Sequence, residues 1–145
     1  MIQRRQTVFM LLTAILSALL FFTPIIKISD SIIDFTIWGW SSIPGSKPYT
    51  WPLIGITILS VILPIYTIFI YKKRELQVKL CHLVMLLNVI FIVLVFLVND
   101  KDMDSVTKTC SFGMFIPLAN IVFEILAIRG IKKDIELLKS VDRLR

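Results

Sequence analysis

Glu124 and His82 are the residues of this chain whose types could do chemistry. Glu124 is the one acidic side chain inside a long apolar run, and His82 is the only histidine. A carboxylate at membrane depth is expensive, so it should face other helices and have a partner. Three residues share its depth: His82, Lys79 and Arg129. Arg129 lies five positions along the same run, off the favourable i+3 or i+4 spacing. An imidazole titrates near neutral pH, so a Glu124–His82 pair could accept a proton in a transporter or a small membrane enzyme. The competing reading is a structural contact that locks the third and fourth helices together. The structural reading is the stronger one. There is one carboxylate, and no continuous polar track crosses the chain's apolar runs.

Other catalytic arrangements are missing. The sequence holds no Gly-rich phosphate loop, no HExxH and no GxSxG. The span hydroxyls, Ser60 among them, have no base at their own depth, so they make no triad. Cys81 and Cys110 are expected on opposite sides of a bilayer. That is far beyond the roughly 4.4–6.8 Å between the Cα atoms of a disulfide. They should neither pair nor hold a metal together. No catalytic residue, metal or cofactor is expected, and the chain is read as non-enzymatic.

The elements that must position these residues are long and apolar. Of 145 residues, 57% are hydrophobic and 18% charged, with mean hydropathy +0.84. Soluble domains are about half apolar and about a quarter charged. The excess is gathered in runs at about 7–26, 51–71, 80–98 and 112–129. Each approaches the ~20 residues that cross ~30 Å of hydrocarbon. The first run is longer than the ~7–15 apolar residues of a signal peptide and has no small-x-small cleavage site after it, so it is read as a retained span. The expected fold is an all-α membrane protein, a four-transmembrane-helix bundle over 1–130, with a helical tail at 131–145.

Charge orients the bundle. Arg4 and Arg5 precede the first span. Lys72, Lys73, Arg74 and Lys79 lie between the second and third. Arg129, Lys132, Lys133, Lys139, Arg143 and Arg145 follow the fourth. Twelve of the sixteen basic residues thus fall on one side. Basic loops stay in the cytoplasm, which puts both termini there. This face would attract anionic headgroups. Nucleic-acid binding is disfavoured, because no basic domain stands clear of the membrane.

Polar residues mark the inner helix faces. Thr13 and Ser17 are four apart. Thr57, Ser60, Pro64 and Thr67 follow at three, four and three. Cys81, Met85 and Asn88 share one face, as do Gly113, Pro117, Asn120, Glu124 and Ala127. Ser17, Ser60, Asn88 and Asn120 are the expected packing residues. Asn88 and Asn120 should lie at similar depth, ~10–14 Å from the cytoplasmic ends. Small residues let helices approach, and polar ones hydrogen-bond between them. Pro64 and Pro117 should kink their helices.

The first outer loop, 27–50, alternates polar and apolar at Asp34-Phe35-Thr36-Ile37. That period of two predicts a short strand or β-hairpin. Trp38, Trp40, Tyr49 and Trp51 form an aromatic cluster suited to the headgroup level. In the tail, Ile131, Ile135, Leu138 and Val141 make an amphipathic stripe with Gly130 as a soft point. That stripe must be covered by the membrane surface, by the 72–79 loop, or by a partner helix.

Three stretches carry a family resemblance: Met1-Ile2-Gln3-Arg4-Arg5-Gln6-Thr7-Val8, the basic segment from Lys72 through Cys81, and the ending from Leu126 through Asp142-Arg143-Leu144-Arg145. They resemble DUF4293, a family of small four-span inner-membrane proteins of Bacteroidota catalogued as a domain of unknown function. The resemblance covers the whole chain, and the Asp-Arg-Leu-Arg ending is its most specific part. It implies a bacterial inner membrane and four helices, and it transfers no active-site residue. A weaker likeness is to claudin-type four-span proteins, through the large first loop and Trp38-Gly39-Trp40. The two loop cysteines of that group are missing here.

These readings converge on an accessory or scaffold subunit embedded in the lipid bilayer. It would contact a membrane or cytoplasmic protein through Lys72, Lys73, Arg74, Lys132, Lys133, Arg143 and Arg145. The alternative is a small transporter or channel component built on Glu124. A water-accessible cavity reaching Glu124 would favour transport, and a dry bundle would favour the scaffold.

Overall fold

The computed structural model describes residues 3–28, 34–40, 50–70, 73–102 and 108–142. Four helices carry most of it: α1 (Gln3–Leu19), α2 (Trp51–Phe69), α3 (Arg74–Asp102) and α4 (Phe115–Asp142). α1 packs on α2 and α4, and α3 packs on the same two helices. The helices therefore stand in a square, with α1 and α3 on one diagonal. Three segments are long and apolar enough to cross a membrane: Trp51–Phe69, Arg74–Val98 and Phe112–Leu138. The apolar part of α1, Gln6–Leu19, is shorter.

Each helix turns a regular seam inward. The seam runs through Met10, Thr13 and Ser17 of α1 to Leu20 just past its end; on α2 the buried positions are Leu53, Thr57, Ser60, Pro64 and Thr67. On α3 they are Gln77, Cys81, Val84, Asn88, Phe91 and Val95. α4 and the turn before it bury Gly113, Pro117, Asn120, Glu124, Ala127, Ile131 and Asp134. The spacing alternates three and four throughout. That 3.5-residue repeat is the pattern of helices that coil left-handedly around one another.

The chemistry of the seam is inverted relative to a water-soluble bundle. Hydroxyls, amides and Glu124 lie inside. Val8, Leu11, Ile15, Ile62, Val93 and Val122 are among many apolar side chains on the outside. A soluble protein would have to leave this sheath in water, far beyond the few hundred Å² of apolar patch such proteins carry. In hydrocarbon the same sheath meets its matching solvent, and association rests on close packing and interior hydrogen bonds.

Two apolar clusters flank the polar middle. One joins Phe35, Ile37, Leu53, Phe91, Val95 and their neighbours at the end where α2 and α4 begin. The other joins Met10, Cys81, Ala127, Ile128 and Ile131 at the opposite end.

The first cluster is roofed by a four-stranded sheet of order β3-β2-β1-β4. Its strands are β1 (Ile26–Ile28), β2 (Asp34–Thr36), β3 (Gly39–Trp40) and β4 (Lys108–Cys110), all paired antiparallel. β2 and β3 are joined across Ile37 and Trp38, and Gly39 leaves that turn at φ 118°, a conformation open to glycine. The short strand expected near Asp34 is therefore present, but it sits inside a sheet that also recruits β4 from the second outer connection.

The helix stops short of the end of the first expected span, 7–26. α1 ends at Leu19, the chain turns through Leu20–Thr23, and Ile25 and Ile26 are buried under the sheet. Pro24 has no N–H to continue the helix, and its carbonyl instead accepts from Gly113 N at 3.0 Å. α3 begins at Arg74, a turn and a half before the expected 80. α4 runs unbroken through Gly130 to Asp142, so the tail continues the fourth helix. Gly130 is a point of close approach instead of a soft point. A Cβ there would stand 2.8 Å from Gln6 Cγ. Lys72, Arg143, Arg145, the 43–48 turn and Tyr49 lie outside the described residues.

Candidate functional site

The polar layer between the two apolar clusters joins three of the residues singled out from the sequence, Ser17, Asn88 and Asn120. Asn120 is its hub. Its Nδ2 donates to Ser17 Oγ at 2.9 Å and to Asn88 Oδ1 at 3.3 Å. Asn88 Nδ2 in turn donates to Val84 O at 2.9 Å. One amide thus ties α4 to both α1 and α3. Ser60 is buried at the seam of α2, and Thr57 donates to Leu53 O at 2.7 Å.

One turn further along α4, Glu124 is 1% exposed. Its hydrogen-bonding neighbours are Cys81 of α3 and Thr13 of α1. Thr13 Oγ1 is also 3.0 Å from Phe9 O, and its one proton serves only one of these acceptors at a time. The Asn120 and Glu124 rungs are therefore parallel: each joins α4 to the same two helices. Oε2 of Glu124 and Oδ1 of Asn120 have no hydrogen-bond partner among the described residues.

The expected Glu124–His82 pair does not form. His82 is exposed, and its Nδ1 sits 2.7 Å from Val78 O of its own helix. The reason is helical geometry. Neighbouring residues point about 100° apart, so with Cys81 turned inward His82 must face out. The residue that meets Glu124 is the cysteine. Met85, assigned to the same inner face, is half-buried, while Val84 is buried.

The basic end carries a second polar cluster that sequence reasoning missed. Asp134 is buried on the tail part of α4. Gln6 Nε2 of α1 donates to its Oδ2 at 2.8 Å, and Arg74 of α3 lies 3.4 Å from the same oxygen. Gln77 Nε2 donates to Thr67 O at 2.9 Å, joining α3 to α2. The signal was available, since Asp134 and Gln77 both continue the 3.5 repeat of their helices. Arg74 is consequently half-buried and engaged, which removes it from the free basic face. Lys73, Lys132 and Lys133 are exposed.

In the tail, Ile131 is buried and Ile135 packs on the same cluster. Leu137 and Leu138 remain 48% and 51% exposed. Intramolecular packing therefore covers the tail stripe at Ile131 and Ile135 and not at Leu138.

No group of three or more His, Cys, Asp or Glu side chains could hold a metal among the described residues. The arrangement is that of a helical protein with a polar interior, an apolar exterior and three helices long enough to cross a membrane. The chain belongs to the DUF4293 family, a domain of unknown function, whose model matches residues 2–144. No curated protein and no solved structure matches it.

Proposed function

We propose that the protein is a four-span integral protein of a bacterial inner membrane, with both termini cytoplasmic. It would serve as a non-enzymatic accessory or scaffold subunit. The observation that carries this reading is the closed interior. Glu124, Asn120, Asn88, Ser17 and Thr13 are all buried, and their contacts run between helices. Side chains used in this way hold the bundle shut, and they offer no path for a substrate.

The membrane placement rests on two boundaries. Phe22, Trp38, Trp51, Phe112 and Phe115 are exposed at the sheet end, as in an interfacial aromatic belt. Lys73, Lys79 and Arg129 are exposed at the other end. Along α2, Trp51 to Phe69 rises about 27 Å, close to the hydrocarbon thickness. α1 is shorter, and the turn at 20–23 completes its crossing. Positive charge then puts the basic end in the cytoplasm.

The surface left for a partner is the end of α4. Lys132 and Lys133 flank Leu137 and Leu138, which are 48% and 51% exposed. The test is copurification from membranes with the wild type and with Leu137→Glu/Leu138→Glu. A protein retained by the wild type and lost with the variant, at unchanged bundle stability, supports the reading. An identical set of copurifying proteins contradicts it, as does solute flux through the purified protein in liposomes.

A further inference from the structure

Glu124 Oε2 and Asn120 Oδ1 are buried oxygen atoms with no hydrogen-bond partner among the described residues. The residues are four apart on one helix, so they lie one above the other on the inner face of α4. Native interiors leave few such atoms, and each one asks for an explanation. Here there are two, one turn apart, and both are acceptors.

Their surroundings add hydroxyls, an amide and the Cys81 thiol, and no positive charge among the described residues. α1 brings Thr13 and Ser17, and α3 brings Cys81 and Asn88, all of them buried. The cationic groups nearest in sequence are turned elsewhere. His82 bonds its own helix, Arg129 and Lys79 are exposed, and Arg74 is engaged with Asp134. A buried carboxylate needs a counter-charge, and none stands beside it among the described residues.

We infer that Glu124 Oε2 and Asn120 Oδ1 bind an alkali-metal cation, with sodium the best match. The two unpartnered atoms are both oxygens, which suit a hard ion. A single carboxylate balances one positive charge, whereas calcium sites gather several charged oxygens. The cation would also satisfy both unpartnered atoms at once. This goes beyond the proposed function, since a structural ion can sit in a bundle that transports nothing.

The test uses the full chain purified in detergent, with NaCl replaced by choline chloride at constant ionic strength and pH. The expected result is a Tm that rises with Na+, by roughly 4 °C for each tenfold increase once Na+ exceeds its Kd. Glu124→Gln should lose that dependence, and Ser17→Ala, which keeps both oxygens, should retain it. If Glu124→Gln does not fold, the wild-type titration decides alone. A wild-type Tm identical in Na+ and choline overturns the inference. So does a Tm that follows pH and ignores Na+, which would make the counter-charge a proton. Loss of the response in Ser17→Ala with its retention in Glu124→Gln also overturns it.

Discussion

Asn120 Nδ2 donates to Ser17 Oγ at 2.9 Å, joining residues 103 positions apart in the chain. The same amide reaches Asn88 Oδ1. Three helices are thus fixed in rotation by one side chain. Ser17→Ala should destabilise the bundle by about 0.6–2 kcal/mol. Asn120→Leu should cost more, because it also strips the partner from Asn88. Detergent unfolding of the purified variants measures both, and equal costs would contradict the hub assignment.

Glycine substitutions should separate by what a Cβ would meet. At Gly113 it would lie 2.5 Å from Pro24 O, a backbone atom that cannot step aside. Gly113→Ala should cost about 1–3 kcal/mol or more. At Gly130 the obstacle is Gln6 Cγ at 2.8 Å, on a flexible side chain, so Gly130→Ala should cost less. Gly55 meets nothing within 4 Å, and Gly55→Ala should stabilise α2 by up to about 1 kcal/mol. Thermal unfolding of the three variants checks this order.

Removing His82 should do little. The side chain is exposed and bonds its own helix, so His82→Ala should change stability by less than about 0.5 kcal/mol. Cys81→Leu, on the inward side of the same turn, should be clearly destabilising. The reverse ranking in an unfolding experiment would restore a Glu124–His82 contact.

The basic end should behave as a clasp. Asp134 is buried between Gln6 and Arg74. Gln6→Ala or Arg74→Ala leaves that carboxylate with one partner fewer, at a cost of about 1–3 kcal/mol. The two effects should be non-additive in a double-mutant cycle, since the residues share one oxygen. Additive losses would mean that they act independently.

Much of this arrangement was legible as contrast. Thr57, Ser60, Pro64 and Thr67 stand out against Ile and Leu, so the inner face of α2 could be read from spacing. The same held for Thr13 with Ser17, and for Gly113 through Ala127. α3 was harder because Val84, Phe91 and Val95 on its seam look like the apolar residues that face outward. The sheet was legible only at Asp34–Thr36. Its pairing of Ile26 with Cys110 joins distant segments with no local signal. Asp134 and Gln77 were missed because their polarity, near the helix ends, reads as ordinary solvent exposure.

The most direct test of the membrane account uses Cys110, which is exposed at the end of β4, while Cys81 is buried in the bundle. A membrane-impermeant maleimide is added to sealed right-side-out vesicles containing the wild-type protein. The account predicts labelling of Cys110 without permeabilisation, and protection of Cys81 throughout. Labelling of Cys110 that appears only after the vesicles are opened would contradict it.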